Sequence, residues 1–162
     1  MASTTFSGPV TSTNGFIGAL TGNVTGNVTG TVTGLATVTT LTAASTLTTA
    51  QSGTTFFLSS ATEFVTTLPA PAAGVNYKFI VGAAPSGASY TVVTNASANI
   101  IKGQAVNAAG AAGDTGTADD TISFVDGQAV AGDMVTVISD GTSWFAYGVC
   151  AVAAGITFTQ AS

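Results

Sequence analysis

Few side chains in this sequence are equipped for acid–base, nucleophilic or metal chemistry. The charged residues are Lys78, Lys102, Glu63, Asp114, Asp119, Asp120, Asp126, Asp133 and Asp140, there is one cysteine, Cys150, and Arg and His are absent. Without His, neither a Ser-His-Asp nor a Cys-His relay can be assembled. The usual zinc sets, which need His or several Cys, are also out of reach. Without Arg there is no bidentate fork for phosphate or carboxylate. Two lysines cannot neutralise a run of phosphates, so no nucleic-acid partner is expected. A carboxylate pair is the one catalytic device left, and the spacing does not set one up. Glu63 and Asp133 each precede an apolar run and read as solvent-facing strand starts. Asp114, Asp119 and Asp120 fall together in a stretch rich in Ala and Gly. They lack the EF-hand spacing and read as solvated loop acids rather than calcium ligands. No enzyme, no cofactor and no metal is therefore expected.

The remaining candidates have bland readings. Cys150 has no second cysteine to pair with and sits in the apolar run Tyr-Gly-Val-Cys-Ala-Val, as a small buried hydrophobe would. Trp144, Phe145 and Tyr147 follow a strand alternation that puts Trp144 with Ala146 on one face and Phe145 with Tyr147 on the other. A carbohydrate-binding aromatic platform and core packing are both open for them, and core packing is preferred. The Gly-rich pieces match neither the P-loop nor the dinucleotide fingerprint.

The elements that must position these residues are strands. Of 162 residues only 6% are charged, against a usual ~25%, and 46% are apolar. The length suits one domain with an appendage. The first residues have neither the basic nor the apolar region of a secretory signal, and residues 147–158 are too short an apolar stretch for a membrane span. Synthesis in the cytoplasm and no membrane partner are expected. Residues 51–162 read as a compact all-β domain, an antiparallel sandwich or barrel of jelly-roll type. Its strands are predicted at 54–60, 63–68, 76–82, 89–94, 99–102, 121–125, 134–139, 143–149 and 156–159. Asp140-Gly141 is a hairpin signal between two of them. Residues 104–120 read as the longest loop.

The chain before residue 51 differs. Residues 1–17 combine turn formers with isolated apolar residues and read as a docking arm whose anchors are Phe6, Pro9, Val10, Phe16 and Ile17. Residues 18–37 repeat with a period of four, as in Gly22-Asn23-Val24-Thr25 and Gly26-Asn27-Val28-Thr29. In a strand this puts Leu20, Val24, Gly26, Val28, Gly30 and Val32 on one face and Asn and Thr on the other. One chain cannot bury so narrow a face against itself, whereas three copies around an axis can, so a homotrimer is expected. The two Asn-Val-Thr sequons are by-products of this repeat. Residues 38–50 are a Thr-rich connector able to extend the strand, with Leu41 and Leu47 on one face.

Three stretches together resemble tailed-bacteriophage virion proteins. They are Phe-Ser-Gly-Pro-Val-Thr-Ser-Thr-Asn-Gly-Phe-Ile-Gly (6–18) followed by the repeat (21–30), Leu-Pro-Ala-Pro-Ala-Ala-Gly-Val-Asn-Tyr-Lys-Phe-Ile-Val (68–81), and Gly-Asp-Met-Val-Thr-Val-Ile-Ser-Asp-Gly-Thr-Ser-Trp-Phe (132–145). The resemblance implies a capsid decoration (cement) protein on the exterior of the virion. Such proteins are commonly trimers that bind the major capsid protein at threefold positions and hold capsomers together. A trimeric head or tail fibre that attaches to the host surface is the alternative. The resemblance carries no catalytic residue.

Overall fold

The computed structural model describes residues 37–108 and 112–160. The expected arm with its anchors Phe6, Pro9, Val10, Phe16 and Ile17 lies outside the described residues. So does the repeat face of Leu20, Val24, Gly26, Val28, Gly30 and Val32.

Alternation of large apolar and polar residues produces the strands. In β5 (Asn76–Val81), Tyr77, Phe79 and Val81 are buried while Asn76, Lys78 and Ile80 lie on the outer side. The same alternation of buried and outward positions runs through β10 (Met134–Ser139) and β11 (Trp144–Cys150), although several of their outward residues are apolar. The other strands are β1 (Val38–Leu41), β2 (Ser45–Thr46), β3 (Thr55–Leu58), β4 (Val65–Thr67), β6 (Tyr90–Val93), β7 (Ile101–Asn107), β8 (Ala112–Asp119), β9 (Thr121–Phe124) and β12 (Ile156–Thr159).

They form two sheets, a larger one ordered β1-β3-β5-β10-β11-β7-β8 and a smaller one ordered β12-β9-β6-β4-β2. From β1 to β6 the chain alternates between the sheets at every strand. Each strand of this part lies parallel to the one two before it: β1, β3 and β5 in the larger sheet, β2, β4 and β6 in the smaller. The register stacks Leu41, Leu58 and Val81 in one buried column. From β7 onward hairpins enter, and β10 inserts antiparallel to both β5 and β11.

Two expectations are corrected here. The sheets are mixed rather than antiparallel, because winding between two layers brings successive strands of one sheet in from the same side. The stretch read as a loop over residues 104–120 also holds strand: residues 104–107 are the end of β7 and residues 112–119 the whole of β8, an antiparallel pair with two register irregularities. The 38–50 segment supplies β1 and β2, and its Leu41 and Leu47 are buried in the core.

One hydrophobic cluster fills the space between the sheets. The larger sheet contributes Phe56, Leu58, Tyr77, Phe79, Val135, Val137 and Trp144, and the smaller contributes Tyr90, Val92, Ile122, Phe124, Ile156 and Phe158. Phe56 and Phe79 stack at 5.7 Å between ring centroids, and Tyr77 tilts against Trp144 at 5.8 Å. Tyr77 keeps its hydroxyl satisfied by donating to the Thr48 carbonyl at 2.8 Å. At one edge the layers meet closely. A Cβ on Gly103 would stand 2.7 Å from the Phe158 ring and 2.8 Å from Ala146 Cβ, so glycine there is a packing requirement.

Candidate interaction surface

The outer face of the larger sheet is where the chain exposes its large apolar residues. Strand register arranges that face in three rows. The first runs Asn76, Ile138, Phe145, Lys102. The second runs Val38, Thr55, Lys78, Thr136, Tyr147, Gln104, Thr115. The third runs Thr40, Phe57, Ile80, Met134, Val149, Val106. The third row is therefore an apolar stripe over five adjacent strands. Four interstrand spacings make it about 19 Å long.

Of the eight large hydrophobic residues that the described chain exposes, five belong to these rows: Val38, Val106, Ile138, Tyr147 and Val149. Single exposed hydrophobics are ordinary, whereas a contiguous set marks a contact surface. Tyr147 is the most exposed of them at 64%. Beside it, Lys102, Gln104, Phe145 and Tyr147 line a cleft of about 230 Å³. The Lys102 ammonium stands 5.5 Å from the Phe145 ring centroid, in cation–π range.

Charge is distributed as unevenly as apolar area. Both cations of the chain, Lys78 and Lys102, stand in the rows, and none of the rows contains a carboxylate. The acids are occupied elsewhere. Asp133 is buried at 4% exposure, which corrects its reading as a solvent-facing strand start. Its carboxylate accepts from the Val130 and Ala151 N–H groups at 3.0 and 2.8 Å and so ties two loops together. Asp114 accepts from the Phe158 N–H at 2.6 Å, a side chain standing in for a strand carbonyl. Asp120 is buried and accepts from the Thr121 hydroxyl. These two, with Asp119 at the end of β8, are thus not solvated loop acids. Burial, then the charges of Asp114 and Asp120, push the Asp119 carboxyl above its ordinary pKa, and its Oδ2 is buried without a hydrogen-bond partner. Asp126 accepts from the Gly87 N–H. Glu63 is exposed, as expected. Asp140 caps the β10–β11 turn. It accepts from the Thr142 and Ser143 N–H groups, which hold its pKa down to about 2, with a smaller contribution from Lys102.

Among the described residues no three of His, Cys, Asp and Glu gather in a metal-binding group. No helix among them is long and apolar enough to cross a membrane. Cys150 is buried, and burial raises its thiol pKa, so it packs as a small hydrophobe.

The aromatic alternation read from the sequence is present, but the preferred core packing holds for Trp144 alone: Phe145 is half-buried and Tyr147 exposed on the outer face, because their strand positions point away from the smaller sheet. Sequence reasoning did not single out Lys78, Phe57, Ile80, Met134 or Val149 as surface partners of that pair. Alternation within each strand could have put Lys78 and Ile80 on one face, but the neighbours across strands come only from the register. No family model matches the chain, and neither a curated protein nor a solved structure matches it.

Proposed function

We propose that this chain is a structural, non-enzymatic virion protein. In this reading it decorates the capsid exterior, binds the major capsid protein at threefold positions as a homotrimer, and stabilises the shell. The observation that carries the reading is the outer face of the larger sheet: rows without a carboxylate, crossed by an exposed apolar stripe, on a chain with no His or Arg. The resemblance of residues 6–18, 21–30, 68–81 and 132–145 to tailed-phage virion proteins points to the kind of partner. The arm anchors Phe6 and Phe16 and the Gly/Val repeat would add attachment and trimer contacts, and threefold repetition multiplies a modest contact by avidity. The test is co-sedimentation of the full chain with undecorated capsids of its virus, with imaging of the particles. Binding over the whole head is expected. Labelling confined to an appendage overturns the reading in favour of a fibre.

That second reading has one observation in its favour, the cleft where Phe145 and Tyr147 stand beside Lys102 and Gln104. Aromatic rings beside polar donors are what a sugar platform needs. Saturation-transfer NMR with host surface glycans is its test. Saturation that Tyr147→Ala abolishes is the result this reading requires.

A further inference from the structure

We infer that the outer face of the larger sheet docks a protein surface that presents two carboxylates about 16 Å apart beside an apolar ridge. The spacing follows from the register. Lys78 and Lys102 are three strands apart, on β5 and β7, and two residues out of line. Three spacings of ~4.8 Å and two rises of ~3.3 Å give about 16 Å. The ridge answers the stripe of Phe57, Ile80, Met134, Val149 and Val106.

Charge complementarity selects this occupant. The chain has a net charge of −5, yet the rows of this face hold both of its cations and no acid. Asp140, which feels Lys102, stands in the turn beyond them and is already occupied by the Ser143 and Thr142 N–H groups. A second copy laid face to face would bring lysines without any carboxylate to answer them. A nucleic acid needs a track of cations, and two lysines among hydrophobic residues do not make one. Six interstrand spacings by about five residues give an area of roughly 500 Å². That is less than the ~800 Å² one partner gives a standard interface, so the contact works as one of several repeated on an assembly.

The inference deepens the proposed function by naming the partner's chemistry, and its test separates the two. In the first arm the probe is a helical peptide with two Glu residues eleven positions apart on a Leu-bearing face, a separation of about 16 Å on one side of a helix. It is titrated by NMR against the full chain, alongside the peptide with Gln in place of Glu. Shifts centred on Tyr147, Phe145 and the two lysines are expected, with affinity at least tenfold weaker for the Gln peptide. Equal affinity of the two peptides, shifts elsewhere, or no binding overturns the inference. In the second arm, the double variant Lys78→Glu, Lys102→Glu and the conservative Lys78→Arg, Lys102→Arg are sedimented with undecorated capsids. At least tenfold loss for the Glu pair with retention for the Arg pair is expected. Equal binding of the Glu pair overturns the inference while leaving capsid decoration intact. Discrimination of the peptides by a chain that does not bind capsids overturns capsid decoration and leaves the inference intact.

Discussion

The two outer faces of this molecule share one core and one kind of backbone, and they differ in almost everything else. The outer face of the smaller sheet has two rows, Thr157, Ser123, Thr91, Val65 and Thr159, Thr121, Val93, Thr67, Thr46. It has seven hydroxyls among nine residues and no charge. Thr suits a pleated surface, and its hydroxyl exchanges hydrogen bonds with water at little net gain or loss. Such a face has little to gain by association. The face of Tyr147 and Val149 keeps apolar area in water, and association releases that water. The difference lies in the outward positions of the strands, since the inward ones form one shared core.

Three substitutions probe that comparison, in descending order of effect. Trp144→Ala empties the layer on which both sheets rest. It is expected to destabilise by about 3–5 kcal/mol, read by denaturant unfolding, with both sheets lost in one transition. Two separate transitions would mean that the faces do not share a core. Gly103→Ala forces a methyl against Phe158 and Ala146. Overpacking there is expected to lower stability by about 1–3 kcal/mol in the same assay. The smallest effect belongs to Asp119, at the rim between the faces. Its folded pKa is raised, so the folded state holds its proton more tightly than the unfolded chain does. Stability is therefore lost as pH rises from the ordinary Asp pKa through the raised one. Asp119→Asn should be more stable than the parent at pH 7, and the gain should vanish as pH falls below the ordinary value. Asp140 has the opposite sign: its contribution is present above the ordinary Asp pKa and is lost as pH falls towards about 2. Thermal melts across pH 2–7 check both.

The sequence was legible where a strand carries its own signal. Residues 134–139 and 156–159 are strands with the predicted bounds: Ile-Thr-Phe-Thr alternates strictly, and Met-Val-Thr-Val-Ile-Ser is a run rich in β-branched residues that the Asp140-Gly141 turn signal closes. Residues 104–120 were illegible because Ala, Gly and Thr give no alternation. Pairing with β7 holds that strand, and the glycines Gly103 and Gly116 make room for Phe158, a need visible only in three dimensions. Asp133 misled for a similar reason: the N–H of Ala151 that satisfies it is remote in sequence. Parallel order could not be read either, since no local pattern distinguishes a hairpin from a strand that returns from the other layer. Little of the candidate surface was legible: alternation put Phe145 and Tyr147 together on one face, but not on the outer one, and the rows that join them to Lys78 and Lys102 come only from the register.

The position of β10 between β5 and β11 has a consequence for the chain as it leaves the ribosome. β5 ends at Val81, and the strand that covers its free edge begins only at Met134. Throughout that interval Asn-Tyr-Lys-Phe-Ile-Val presents unpaired amides and carbonyls beside four large apolar side chains, a template for pairing with a neighbouring nascent chain. Lys78 sits in the middle of it. A buried-strand sequence interrupted by one charge resists such pairing, so the same ammonium group that marks the mature surface guards the half-made sheet against aggregation.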